Sequence, residues 1–305
     1  MNARRTVIAA IAALLLPSAA TYAQWLNYPT PGIPRMPDGK PNLAAPAPRT
    51  VDGRPDLSGV WNDECGEGTA CSAGDSQFFD LAKDLKPSDV EMTPWAAAIQ
   101  AQRENRDHVD DPYGYCLPPG TPRIDVVGPF KILQTTGVTA FLHETEVGLM
   151  FRQVFTDGRP LPTVTEPTWL GYSVGKWEGD TLVVETIGFK DGGWLDARKA
   201  HPHSDAFHVT ERFQRTDFGH MRLTITINDP RAFVKPWTVT ARLNLLPDTE
   251  LLEAFCDNHD KTIEHRRITP PAPEPPSVAG ARLRQMTVAK PWSTEVRSAS
   301  FRLSL

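Results

Sequence analysis

The chain has 305 residues, a formal net charge of -5 and a sequence pI of about 5.9. This acidic balance argues against a nucleic-acid partner, which usually requires a clustered basic surface. The 29 prolines and the 23% of charged residues are typical of a globular, loop-rich protein with one large β domain or two smaller ones.

The N-terminal 23 residues have the pattern of a secretory signal peptide. Arg4 and Arg5 precede an apolar run, Val7 to Leu16, and small residues follow up to Ala23. Because this run is too short to span a bilayer, we expect cleavage after Ala23 and no membrane insertion of the mature protein. The expected location is periplasmic or secreted.

Four cysteines would then meet an oxidising compartment. They are Cys65, Cys71, Cys116 and Cys256, and their even number suits two disulfides. Pairing the two close cysteines with each other, and Cys116 with Cys256, is one of three connectivities that the sequence allows.

The mature chain divides into an arm, a β domain and an extension. Residues 24–56 are Pro-rich and repeat an Asp-Gly-x-Pro turn, so we predict an extended arm. The β domain is predicted at 57–270, with a helical insertion at about 86–108. Within it, Thr93 as N-cap and Pro94 as first helical residue predict a helix to about Arg106. Residues 271–305 are the C-terminal extension.

Strand signals appear at 57–61 and dominate from residue 130 onward. Short alternating runs are separated by tight turns such as Asp157-Gly158. The predicted strands lie near 130–136, 138–144, 149–156, 170–177, 181–189, 207–215, 220–228, 236–246, 250–257 and 262–268. Consecutive strands without intervening helices form an antiparallel meander, and closure into a barrel removes its exposed edges. We therefore predict a mainly β fold that closes into a barrel.

The string Gly59-Val-Trp61 at the first strand, followed by this meander, resembles the lipocalin-like (calycin) pattern. In that family a G-x-W strand opens the barrel, and a basic residue near the last strand covers the tryptophan. The resemblance implies a lipocalin-like barrel in which Arg266 or Arg267 has that position. The 70 or so residues between Trp61 and the next clear strand depart from the family, whose connection there is usually short.

Three longer strings resemble those of a large group of uncharacterised exported bacterial proteins. They are Pro167-Thr-Trp-Leu-Gly171, Trp177-Glu-Gly-Asp-Thr-Leu-Val-Val-Glu-Thr186 and Pro202-His-Ser-Asp205 with His208-Val-Thr-Glu-Arg212. This second resemblance covers roughly residues 57 to 260. It implies an exported β domain and no particular activity.

Three glutamates fall on the predicted apolar faces of their strands: Glu185, Glu211 and Glu253. The alternation is clear around Glu211, whereas both faces of the Glu185 strand are apolar. His143 and Arg152 are further inward candidates. A carboxylate among core residues requires a partner, a proton or a metal, so three of them predict a polar site inside the barrel. The alternative is that each glutamate pairs with an arginine, such as Arg152, Arg215 or Arg242, and fixes strand register.

The long connection at 190–206 is the second candidate region. It carries Asp191, Trp194, Asp196, His201 and His203, and it leads into His208 and Glu211. These are plausible metal ligands, but their spacing matches no metal signature, and on a regular strand His208 and Glu211 point to opposite faces. We therefore expect no resident cofactor, although a metal is an alternative. We expect the histidines to cap turns or to contact a ligand at the barrel mouth.

These patterns predict an exported enzyme that uses inward carboxylates and histidines for acid–base chemistry on a small organic substrate, as a lyase, isomerase or hydrolase. The catalytic candidates are Glu185, Glu211 and His208. The substrate-binding candidates are Trp177, Trp194, His201, His203, Glu253, His143 and Arg152. The alternative is a non-catalytic carrier or sensor of an apolar or aromatic small molecule, and a weaker alternative is a structural envelope protein.

The serine of Gly171-Tyr-Ser-Val-Gly175 is not a hydrolase nucleophile, because a strand and not a helix follows it.

Overall fold

The computed structural model describes residues 29–64, 76–145, 147–163, 165–253 and 256, all of which fall within one compact unit. Within these ranges, no helix combines the length and the apolar character that crossing a bilayer requires. The predicted signal peptide, the pair Cys65 and Cys71, and the C-terminal extension lie outside the described residues.

Nine strands close into one barrel in the order of the sequence, which confirms the predicted architecture. They are β1 (Gly59–Asp63), β2 (Phe130–Gln134), β3 (Val138–Thr145), β4 (Gly148–Phe155), β5 (Tyr172–Glu178), β6 (Thr181–Ile187), β7 (His208–Arg215), β8 (His220–Asn228) and β9 (Trp237–Leu245). Neighbouring strands are antiparallel except β4 and β5, which form a short parallel pair at Val154–Ser173 and Phe155–Val174. The connection at 156–171 returns the chain to the same end of the barrel, so this pair departs from a pure meander.

The strand predicted at 250–257 is wrong for the residues that the structure describes there, 250–253 and 256, which have no strand conformation. β9 pairs with β1 at Trp61–Leu245, Asn62–Asn244 and Asp63–Leu243. Because this pairing closes the barrel, no free edge next to β9 is left for a further strand. The predicted strand at 262–268 lies outside the described residues.

The insertion between β1 and β2 covers one end of the barrel, which we call the capped end. Its helix α1 (Pro94–Asn105) begins at the predicted residue, and the Thr93 side chain accepts a hydrogen bond from the amide of Ala96. Three short 3-10 turns, Pro87–Asp89, Pro112–Tyr115 and Arg123–Val126, complete the insertion. Backbone bonds join it to the 190–206 connection and to the β8–β9 loop, so three segments meet at this end.

The opposite end, which we call the arm end, is closed around Trp61. The Arg215 guanidinium lies over the indole ring, with its central carbon 4.9 Å from the ring centroid. It also donates to the carbonyl oxygens of Asp56, Asp217 and Phe218. Arg266 and Arg267, which the lipocalin-like resemblance implied for this position, lie outside the described residues. Among the described ones, it is the last residue of β7 that covers the tryptophan.

The N-terminal arm and one disulfide fasten the outside of the barrel. Arg49 of the arm donates to both carboxylate oxygens of Asp180 in the β5–β6 turn, at 2.9 and 2.6 Å. Cys116 in the insertion is bonded to Cys256, which is one of the pairings that the sequence allows.

Candidate functional site

A group of charged side chains lies inside the barrel, and we call it the lumen cluster. It consists of Arg152 from β4, Glu211 from β7 and Asp125 from the turn Arg123–Val126, with His143 of β3 beside them. All four residues are at most 3% exposed. Glu211 and Arg152 point inward because they alternate with outward residues on their strands, and the 3-10 turn brings Asp125 into the same interior.

Every N–H group of the Arg152 guanidinium has an acceptor. Nε donates to Ser173 Oγ at 3.0 Å, and one Nη2 hydrogen goes to Thr186 Oγ1 at 2.9 Å. The other three donate to the carboxylates: Nη1 to Asp125 at 3.0 Å and to Glu211 at 3.1 Å, and Nη2 to the second oxygen of Glu211. A guanidinium has five N–H donors, so its donor capacity is filled.

Burial sets the protonation of this cluster. Burial and the neighbouring charge of Glu211 raise the pKa of Asp125 well above its usual range. Burial alone would lower the pKa of Arg152, but the two carboxylates outweigh it and raise that pKa. Burial, and then the charge of Arg152, lower the pKa of His143 to about 3, so this imidazole is neutral at ordinary pH. The cluster is therefore one buried cation with two acidic groups that compete for it.

The lumen cluster has the properties of a structural ion network. The five N–H groups of its cation are used, and its members are buried. Asp125 Oδ1 and both ring nitrogens of His143 have no hydrogen-bond partner among the residues that the structure describes, so it is the cation whose pairing is complete. Glu211 thus corresponds to the alternative in which a glutamate is paired with an arginine. A buried cation whose donors are all paired in this way fixes strand positions.

A second cluster lies at the capped end of the barrel, and we call it the end cluster. Asp196 and His201 belong to the 190–206 connection, and Asp80 belongs to the insertion between β1 and β2. Asp196 Oδ2 is 2.6 Å from His201 Nδ1 and also accepts the amide of Leu81 at 3.1 Å. Asp196 therefore joins the two segments and orients the imidazole.

The charges of the end cluster act on one another. Burial lowers the pKa of His201, but Asp196 and then Asp80 outweigh it and raise that pKa above its ordinary value. Burial, followed by the charge of Asp196, raises the pKa of Asp80. Arg103 and Lys199 are the nearby cations. The arrangement is an imidazole between two carboxyl groups, one buried and one half-buried.

Two polar atoms in this region are left without hydrogen-bond partners. His201 Nε2 makes no hydrogen bond within the described part of the chain, although its side chain is 8% exposed. The indole Nε1 of Trp237 is buried and has no partner there either. The Trp237 and His201 ring centroids are 6.1 Å apart. Because buried polar groups are nearly always paired, the unpaired indole N–H of Trp237 indicates room for a polar ligand or a water molecule.

Two of the predicted inward glutamates lie elsewhere. Glu185 is half-buried on the outward face of β6, between Val174 and Thr210, and the inward position next to it is taken by Thr186. The predicted inward placement of Glu185 is wrong. Both faces of β6 are apolar, so alternation does not distinguish them, and Thr186 is the residue that reaches Arg152. The predicted inward placement of Glu253 is also wrong, because this residue is exposed and lies outside any strand.

The other predicted residues are dispersed. His208 is on the outward face of β7, opposite to Glu211. His203 packs against Phe189 and Phe207, and burial lowers its pKa to about 4. Trp194 is buried under the Arg103 guanidinium at 4.7 Å.

Trp177 lies near Arg54 at the arm end, far from His201 along the strands. Of the ten predicted site residues, Glu211, Arg152 and His143 meet in the lumen, and only His201 belongs to the end cluster.

Asp125 and Asp80 were missed by sequence reasoning. Both come from the insertion, where no strand or helix alternation indicates the direction of a side chain. The only local signal for Asp125 is its position between apolar residues, Ile124 and Val126. Asp80 has the same signal, since it stands between Phe79 and Leu81, but its partners Asp196 and His201 are more than a hundred residues away in the sequence.

Two of the cavities that the described residues form are relevant here. One, of about 320 Å³, lies between the arm and the arm end, where apolar side chains including Ile33, Val60 and Phe218 meet the ion pair of Lys131 and Glu250. The other, of about 410 Å³, is a surface depression beside the start of β5, lined by Pro162, Glu166 and Tyr172 among others.

Comparison of the chain with protein-family models, with curated proteins and with solved structures gives no match.

Proposed function

We propose that this chain is an exported enzyme that transfers protons on a small organic substrate, as a lyase, isomerase or hydrolase does, with His201 as its acid–base group. The observation that carries the proposal is the 2.6 Å hydrogen bond from His201 Nδ1 to Asp196, with Nε2 left unpaired in the described part of the chain. A carboxylate on Nδ1 fixes the tautomer and the direction of the ring, so that Nε2 faces the substrate.

The electrostatics support the assignment of His201. The two carboxyl groups raise its pKa against the opposing effect of burial. A raised pKa makes the imidazole a stronger proton acceptor, which is the property of a general base. His143 has the opposite character, because its pKa of about 3 keeps it neutral.

The surroundings of His201 fit the apolar part of a small substrate. The rings of Phe233 and Trp237 lie 6.4 and 6.1 Å from the imidazole, measured between centroids. Apolar and aromatic walls with a few convergent polar groups are the usual composition of a ligand site. The unpaired indole N–H of Trp237 supplies a hydrogen-bond donor there.

The experiment compares three forms of residues 24–305: the unchanged sequence, His201→Gln and His220→Gln. His220 is the matched control, since its Nδ1 lies 2.7 Å from Asp217 on the exposed β7–β8 turn. Each form is incubated with a panel of small esters, lactones, hydroxy acids and unsaturated acids, and products are identified by mass spectrometry. We expect turnover of at least one compound, a loss of about 100-fold or more in His201→Gln, as for removal of a general base, and no loss in the control.

Equal turnover in His201→Gln, or no turnover of any compound, would contradict the proposed enzyme. A second candidate function is a carrier or sensor, favoured by the cavity of about 320 Å³ at the arm end, which combines apolar side chains with the ion pair of Lys131 and Glu250. It has its own signature in the same assay: a compound retained by the protein and recovered chemically unaltered.

A further inference from the structure

We infer that the end cluster binds a divalent transition-metal cation of the Zn²⁺ class through Asp80, Asp196 and one imidazole nitrogen of His201. The three residues offer one ligand atom each, and these atoms all lie within 4.8 Å of one another. The site is the one to which the proposed function is assigned. Binding of the ion does not depend on that proposal, but any catalytic use of the ion rests on it.

The geometry is close to that of a bound ion. Ligand atoms at about 2.0–2.2 Å from a zinc ion lie roughly 3–4 Å from each other. Asp80 would therefore move slightly inward, and if His201 binds through Nδ1, the 2.6 Å hydrogen bond between Asp196 Oδ2 and Nδ1 would open and be replaced by bonds to the ion. Asp80 is the half-buried member and belongs to a different segment from the other two. Asp196 is held by the amides of Leu81 and His201, at 3.1 and 3.3 Å, so the buried side of the site is already in place.

The charges favour a cation. With neutral His201 the three side chains carry two negative charges, and Lys199 and Arg103 are the cations near them. A metal ion binds to carboxylates and to a deprotonated imidazole nitrogen, so protons compete with it and its affinity falls as the pH falls.

The unpaired indole N–H of Trp237 is an independent observation for a ligand at this place. Trp237 is 4% exposed, and its Nε1 has no partner among the residues that the structure describes. Three protein ligands leave a coordination position open for a water molecule. The oxygen of such a water would be an acceptor next to His201, where the Trp237 ring lies.

The donor set indicates the kind of ion. One imidazole with two carboxylates suits zinc and its neighbours in the first transition row. Calcium and magnesium prefer sites made only of oxygen ligands.

The test is a Zn²⁺ titration of residues 24–305 without an affinity tag, after dialysis against a chelator, by isothermal calorimetry. The variants are Asp80→Asn and His201→Gln, and the matched controls are Asp217→Asn and His220→Gln on the exposed turn. We expect one ion per chain, an affinity at least about tenfold lower in each end-cluster variant, and unchanged affinity in the controls. In Asp80→Asn the side-chain oxygen that accepts the Ala82 amide at 3.1 Å is kept, so this variant should fold even if His201→Gln does not.

No binding by the unchanged chain, or equal affinity in Asp80→Asn, would overturn the inference. Binding that falls only in the control variants would assign the ion to the surface turn and would also overturn it. The proposed function is judged separately: turnover by the chelator-treated chain that disappears in His201→Gln would support acid–base chemistry without a metal.

Discussion

The lumen cluster and the end cluster both hold carboxyl groups against a basic side chain inside the fold, but they differ in how fully the nitrogen atoms of that basic side chain are paired. In the lumen, all five N–H groups of Arg152 have acceptors, and Glu211 receives two of them. At the capped end, His201 is bound through Nδ1 alone, and the neighbouring Trp237 N–H is unpaired in the described part of the chain.

This difference separates a structural role from a chemical one. A buried cation whose donors all have acceptors loses hydrogen bonds when any partner is replaced, so it resists change and holds strands in register. A partly paired group keeps an atom with which a substrate, proton or ion can interact. Depth of burial alone would favour Glu211 as the functional acid, whereas the pairing of atoms favours His201.

The largest effect should come from breaking the lumen cluster with Arg152→Met. This change leaves Asp125 and Glu211 buried without their cation, and removal of one partner from a buried ion network costs about 3–5 kcal/mol. Urea unfolding followed by tryptophan fluorescence should show this decrease in the free energy of unfolding.

Arg212→Met is the control for that experiment, since Arg212 is adjacent to Glu211 in sequence but makes an exposed ion pair with Glu178 at 2.9 Å. We expect a decrease of at most about 1 kcal/mol there. Equal decreases in the two variants would show that the lumen cluster does not stabilise the barrel.

The two histidines, His143 in the lumen cluster and His201 in the end cluster, should contribute to the pH dependence of stability with opposite signs. The folded-state pKa of His143, about 3, is below the ordinary value, so the unfolded chain binds the extra proton and stability is lost as the pH falls from about 6.5. The pKa of His201 is raised, so its contribution is complete below about 6.5 and is lost as the pH rises through the folded-state pKa.

Unfolding free energies measured from pH 4 to pH 9 check this difference. Below about pH 6.5, His143→Gln should reduce the slope of the unfolding free energy against pH by up to about 1.4 kcal/mol per pH unit, which corresponds to one proton. His201→Gln should be most destabilising, relative to the unchanged chain, at the acid end of the range. Parallel curves for the unchanged chain and both variants would refute the assigned protonation states.

The sequence predicts the barrel well and the end cluster poorly, for physical reasons. The alternation of Val209, Glu211 and Phe213 places Glu211 inside, because a strand has a period of two and one of its faces is polar. On β6 the same argument fails for Glu185, since both faces are apolar and only the contact between Thr186 and Arg152 decides the direction. Asp80 meets His201 through two loops that have no period, so only the folded chain brings them together.

The smallest effect should follow Glu185→Gln, which tests the outward placement of this residue. Glu185 is half-buried between Val174 and Thr210 on the outer surface, so its carboxylate remains hydrated and its replacement by an amide of the same shape removes little. We expect a change in unfolding free energy within about 0.5 kcal/mol and unaltered turnover in the substrate panel. A loss of several kcal/mol would instead place Glu185 among the lumen residues. Arg152 has five N–H donors, all of which are already used, so none would be left for a third carboxylate. The size of this change therefore measures whether the lumen cluster is complete with Asp125 and Glu211 as its two acids.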